Sequence, residues 1–282
     1  MSVQRARELI PTALRRPLGA GAVAVARPLG DLRAKAWSVR GFRFGHSKRA
    51  WGGDGWRRDC RAPAPTNALE AYFDAHTAGP GIWKWRHYFE IYHRHLARFR
   101  NLDTHIVEVG VFSGGSLEMW RDYLGPACHV YGVDIEPACT KYDRPGIKVF
   151  IGDQADPRFW REFLAAVGRI DVVVDDGGHL TRQQVTTFEA VFGALSPGGV
   201  YICEDVHGTA NGFHHYICGL SRNLNAWGAP TELQRMLDSI HMYPFMTVVE
   251  KRRAPRDDLQ MARRGTQWQP FGHAGGVSVI GR

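Results

Sequence analysis

From residue 105 onward, short apolar runs alternate with amphipathic ones, and few folds accept such a pattern. His105–Val109, His129–Val133, Lys148–Ile151, Ile170–Val174 and Val200–Cys203 read as strands. Ser116–Tyr123, Asp156–Val167 and Arg182–Leu195 read as the helices between them, with a short irregular segment after the second strand. The strands are apolar at nearly every position, so both of their faces are covered. Repeated β-α units of this kind predict an α/β fold with a mostly parallel sheet and helices on both faces. In such sheets ligands bind beyond the carboxyl ends of the strands. Ser239–Tyr243 and Met246–Lys251 read as two last strands, Gly212–Leu224 as a helix, and Arg252–Arg264 as an exposed charged segment.

Upstream the texture differs. Residues 1–62 carry 14 Lys/Arg against 4 Asp/Glu, whereas the remainder has 22 against 24, so the net charge of +8 belongs to the N-terminal region. Residues 1–66 predict a basic, weakly ordered extension, partly packed by Trp37, Trp51 and Trp56, and residues 67–282 the folded domain. The basic arm suits weak contact with an anionic membrane surface, and the net-acidic remainder weighs against nucleic acid. No apolar run nears the ~18 residues of a membrane span. Five scattered cysteines without a C-x-x-C pair fit a reducing, cytoplasmic setting. Leu69–Ala75 and Trp83–Arg100 read as helices, with Trp85, Tyr88, Phe89, Tyr92 and Leu96 recurring at helical steps.

Polar residues gather where the strands end. Glu108-Val-Gly110-Val-Phe-Ser-Gly114-Gly115 follows the first strand, and its glycines let the backbone turn tightly beside a ligand. Phe112 stands where a dinucleotide fingerprint has its second glycine, which counts against NAD or FAD. Asp134 ends the second strand, where a carboxylate accepts from ribose hydroxyls, and Asp153 follows the third. Asp175 and Asp176 leave the fourth strand, Glu204 and Asp205 the fifth. Adjacent strand tips lie ~4.8 Å apart, so these acids crowd and favour a hard cation such as Mg²⁺. Successive side chains face opposite ways, so not all four share one ion; Asp175 is assigned to the cofactor.

The order E-V-G-x-x-x-G-G, V-D, G-D-Q and L-S-P-G-G resembles class I S-adenosylmethionine-dependent methyltransferases over about residues 80–255. D-D-G-G-H at 175–179 with E-D-V-H at 204–207 is similar to metal-dependent macrolide-sugar O-methyltransferases and the wider cephalosporin-hydroxylase-like group. His87-Tyr-Phe-Glu-Ile-Tyr92, Gly115-Ser-Leu-Glu-Met-Trp-Arg-Asp122 and Gly152-Asp-Gln-Ala-Asp-Pro157 share in it. The resemblance implies a Rossmann-like, seven-stranded sheet whose final strand is antiparallel. It implies that Glu108, Gly110 and Gly114 surround the methionine part of S-adenosyl-L-methionine, with Asp134 at ribose and Asp153 near adenine. It implies that Asp176, Glu204 and Asp205 hold Mg²⁺, with His179 as general base. Gly178 stands where the family more often has serine, and His207-Gly-Thr-Ala-Asn where it often has Thr-Ser-Tyr, which points to a different acceptor pocket.

The expected activity is transfer of a methyl group to a sugar hydroxyl of a glycoside, glycolipid or polysaccharide. The alternatives are methylation of a catechol-like diol, and a non-catalytic protein binding cofactor or nucleic acid; a hydroxylase lacks its iron-ligand signature. A homo-oligomer is left open.

Overall fold

The computed structural model describes residues 35, 37–46, 67–226, 229–259, 262 and 264–266. The chain divides into two compact units, Pro65–Met261 and Met1–Ala64 with Ala262–Arg282. In the second of these, 37–45 is helical and Trp37 is 65% exposed, so packing by that tryptophan does not hold. Trp51, Trp56 and the tail strand expected at 276–280 lie outside the described residues.

The Pro65–Met261 unit is built on seven strands: β1 (His105–Val109), β2 (His129–Asp134), β3 (Ile147–Ile151), β4 (Ile170–Asp175), β5 (Leu195–Cys203), β6 (Leu237–Tyr243) and β7 (Met246–Lys251). Their order is β3-β2-β1-β4-β5-β7-β6. β1 to β5 are parallel, and β7 runs antiparallel to both β5 and β6. The helices are α1 (Ala68–Ala75), α2 (Tyr88–Leu96), α3 (Gly115–Leu124), α4 (Pro157–Val167), α5 (Thr181–Val191), α6 (Gly212–Leu224) and α7 (Glu232–Met236).

Alternation along each strand sorts the core into two layers. Ile106, Val130, Val172, Val174 and Ile202 pack on one face with Tyr88, Tyr92 and Trp120 of α2 and α3. Val107, Val133, Val173, Tyr201 and Cys203 pack on the other with Trp160, Phe163 and Phe188 of α4 and α5. Local signals set the helix ends. Asn67 caps α1 by accepting from Leu69 and Glu70 N–H, and Asp156 caps α4 at Arg158 N–H ahead of Pro157.

Two boundaries depart from the sequence reading. The helix expected from Trp83 begins only at Tyr88, because 83–85 carries no regular structure and sends Lys84 into the protein. β5 begins at Leu195 rather than Val200, since the Ser-Pro-Gly-Gly turn is drawn into the strand. The order of strands reverses at β1–β4, and the strand ends there deliver the polar residues.

Candidate active site

Register brings the acids together. Asp175 pairs with Cys203, so Asp176 and Glu204 follow side by side past the last paired position. Backbone bonds extend the ladder to them: Asp176 N–H donates to Val109 O at 2.9 Å and Glu204 N–H to Asp175 O at 2.9 Å. A cavity of about 830 Å³ opens over these ends. Gly110, Asp134 and Asp153 line it, as do Asp176, His179, Glu204 and Asp205.

Asp134 Oδ2 accepts from Val111 and Phe112 N–H at 2.8 and 3.0 Å, and Oδ1 from Glu136 N–H. The carboxylate therefore ties β2 to the loop after β1 while still facing the cavity. Gly110 has φ +91°, and a Cβ there would lie 2.1 Å from Asp176 O, so this glycine is required by the close approach of β4. Gly114 (φ +74°) starts α3 against the ring of Tyr142 and does not line the cavity. Asp153 Oδ1 turns back to Ala155 N–H at 2.8 Å.

Two of the acids assigned to the cofactor sit elsewhere. Asp175 shares the face of Val173 and Tyr201, so its side chain enters the second core layer, away from the cavity. It accepts from Tyr201 Oη at 2.7 Å and Gln154 Nε2 at 3.0 Å, and burial pushes its carboxyl up to about 6. Glu108 is fully buried beneath the cavity, accepting from Ser116 Oγ at 2.6 Å, and burial raises its carboxyl despite a lysine nearby.

That lysine, Lys84, was not singled out by the sequence. Its Nζ lies 2.6 Å from Asp176, 3.1 Å from Glu204 and 3.3 Å from Glu108, with the side chain only 3% exposed. Burial alone would lower it, yet Glu204, Asp176 and Glu108 hold the ammonium well above its ordinary range. Glu204 also accepts from Tyr92 Oη at 2.5 Å; burial, then the charge of Asp176, raises its carboxyl well above the ordinary range. Glu204 is thus largely engaged by Lys84 and Tyr92.

Asp205 is braced separately. Its Oδ1 accepts from Trp85 Nε1 at 3.1 Å and from Tyr88 Oη at 2.9 Å. Trp85, Tyr88 and Tyr92 therefore hold the strand-five acids. His179 Nε2 stands 3.9 Å from Asp176 Oδ1 and 3.7 Å from Asp205 Oδ2, and one donor atom from each of these three residues lies within 4.8 Å of the others. His179 (φ 55°) and Asp205 (φ 54°) both adopt left-handed backbone, a conformation costing about 1–2 kcal/mol for such residues. Strain of this kind gathers at functional sites. His207 Nε2 sits 3.3 Å from Asp205 Oδ1 on the same wall. Trp83 and Phe112, 84% and 72% exposed, stand at the rim with ring centres 6.5 Å apart.

No family model matches the chain. Over 205 residues it is 31% identical to 8-demethyl-8-alpha-L-rhamnosyl tetracenomycin-C 2'-O-methyltransferase of Streptomyces olivaceus, covering 62% of this chain and 52% of that protein. Over 122 residues it is 35% identical to mycinamicin VI 2''-O-methyltransferase of Micromonospora griseorubida, covering 41% and 30%. Among solved structures it matches the MycE methyltransferase of the mycinamycin pathway, in complex with Mg, SAH and mycinamycin VI. That match has a TM-score of 0.57 and 26% identity over 68% of this chain and 54% of that one. The chain spans about half the length of these first curated relatives or less. The resemblance read in the motifs is real: the fold is the Rossmann-like one of class I methyltransferases, and the chain is similar in sequence to sugar O-methyltransferases.

Proposed function

We propose that this chain is an S-adenosylmethionine-dependent, Mg²⁺-dependent O-methyltransferase acting on a hydroxyl of a saccharide-bearing acceptor. One observation carries the reading: Asp176, His179, Glu204 and Asp205 line the same cavity as Gly110, Asp134 and Asp153.

The residues fit both the cofactor and the ion. Three carboxylates, Glu108, Asp176 and Glu204, meet the one buried ammonium of Lys84, and a fourth, Asp205, stands with Asp176 beside His179, so carboxylates outnumber cations in the cluster and a divalent cation suits it. Asp176 and Asp205 would hold the ion, with Glu204 joining them where it gives up a contact with Lys84, which bonds both of its oxygens. Asp134 keeps lone pairs toward the cavity for ribose hydroxyls, and the loop from Gly110 to Ser116 would bound the methionine part. When bound, S-adenosylmethionine supplies a sulfonium methyl, and the ion supplies positive charge beside which a sugar hydroxyl loses its proton more readily.

The chain's own contribution is position and proton uptake. His179 Nε2, between Asp176 and Asp205, accepts the hydroxyl proton, and the two carboxylates stabilise the imidazolium that forms. Trp85 and Tyr88 fix Asp205 so that this charge is met without rearrangement. The exposed Trp83 and Phe112 offer flat apolar faces for a sugar or its aglycone. The relatives' names give a rhamnosyl tetracenomycin and mycinamicin VI as acceptors, and a saccharide-bearing acceptor is proposed here.

Labelled-cofactor turnover against a panel of glycosides and catechols, with Mg²⁺ or with EDTA, tests the reading. Transfer to a glycoside, lost in EDTA and restored by Mg²⁺, is expected; full turnover in EDTA rejects the metal, and transfer to catechols alone rejects the acceptor. His179→Ala is expected to lower turnover at least ~100-fold with cofactor affinity unchanged.

A further inference from the structure

The opposite end of the sheet carries a second cluster of metal-ligating side chains. His105 and His129 open β1 and β2 and are direct register partners, so their imidazoles stack, ring centres 4.5 Å apart at 26°. Both Nε2 atoms face one oxygen of Asp103, in the turn before β1: His129 at 3.3 Å and His105 at 3.6 Å from Oδ1. Charge-assisted hydrogen bonds between such groups run about 2.7–2.9 Å, as His95 Nδ1 to Glu250 Oε1 does at 2.7 Å elsewhere in the protein. The contacts at Asp103 are longer. They match instead the spacing of about 3.4 Å that neighbouring donors take around a tetrahedral ion with ~2.1 Å bonds.

The surroundings hold the three groups in that disposition. His105 Nδ1 and Tyr131 Oη are 3.0 Å apart, which orients the ring and, with Nδ1 as donor, leaves Nε2 bare. Arg169 Nη1 takes the other oxygen of Asp103 at 3.3 Å, turning Oδ1 toward the imidazoles. Asp103 and His129 are more than half exposed in their side chains, so an ion reaches the cluster from solvent and keeps a position for water. Among the described residues, the His95, His241 and Glu250 group differs, because both nitrogens of His95 are already taken, by Glu250 and by Tyr243.

We propose that Asp103, His105 and His129 form a second metal site, remote from the cavity, that binds a divalent transition ion of the zinc type. Two imidazoles and one carboxylate suit zinc better than magnesium, which prefers oxygen throughout. The ion would clamp the starts of β1 and β2 to the turn before β1. The proposal is independent of the methyl-transfer reading.

Zinc bound by the full chain at graded free zinc, measured by equilibrium dialysis and atomic absorption, tests it. Because Asp176, His179 and Asp205 also group donors within 4.8 Å, His179→Gln is run in parallel. His129→Gln and Asp103→Asn, both at exposed positions, are expected to lose one equivalent or to bind it at least tenfold more weakly. His179→Gln is expected to retain that equivalent. Zinc binding by His129→Gln and Asp103→Asn equal to that of the parent at every concentration overturns the site.

Discussion

Lys84 is the residue on which the candidate site turns. It is a buried cation serving three carboxylates from three different strand ends. Lys84→Met would leave those charges buried and uncompensated, which typically costs about 3–5 kcal/mol; urea unfolding near pH 7 reads that loss, and a variant as stable as the parent would show the acids neutralised otherwise. The sequence offered only a faint signal for it, a lysine between Trp83 and Trp85 just ahead of an aromatic helix. The acids themselves were legible, because carboxylates at the ends of apolar strands have few structural uses. Which way each one faces was less so. Asp175 and Asp176 are adjacent and equally acidic, and only the pleat decides that one enters the core and the other the cavity. Glu108 misled for a related reason: it sits in the expected motif, but Ser116 and Lys84 hold it below the cavity floor.

At the scale of elements, α2 does more than cover the sheet. Tyr92 reaches Glu204, and Tyr88 Oη shares its proton between Asp205 Oδ1 and Phe245 O while accepting from Asp205 N–H. Tyr88→Phe would unpair these groups, at about 1–3 kcal/mol, and free Asp205 to leave its left-handed position. Lower stability in denaturant, together with a several-fold higher Mg²⁺ concentration for half-maximal turnover, is the expected outcome; a change in stability alone would make Tyr88 a packing residue only. The strands of the sheet were readable in advance because their apolar runs are uninterrupted and separated by amphipathic helices of ordinary length. The start of α2 was not, since Trp83 and Trp85 continue its hydrophobic periodicity while the backbone is diverted by the lysine between them. The short α7 escaped too, being five residues long and held by a capping box at Thr231 and Gln234.

For the molecule as a whole, Asp175 makes stability depend on pH in an unusual direction. Its folded value of about 6 lies above the ordinary carboxyl value of 3.8, so folding takes up a proton. The stabilisation it gives is complete below the unfolded value and is lost as pH rises through about 6. Asp175→Asn abolishes this term. The stability of the parent relative to that variant should fall by roughly 2–3 kcal/mol between pH 4 and pH 7, as read by urea unfolding at each pH; a constant difference would mean that Tyr201 and Gln154 keep the carboxylate ionised. All residues assigned to the cavity lie within Pro65–Met261. The contact of Lys84 with Glu204 also joins residues 120 positions apart in the chain. During synthesis the lysine leaves the ribosome long before Asp176 and Glu204, and its hydrated charge must wait for β5 before its full set of partners exists. A shortened version cut to start at β1 would keep every strand of the sheet and all the acids, yet emerge with its anionic pocket unclamped.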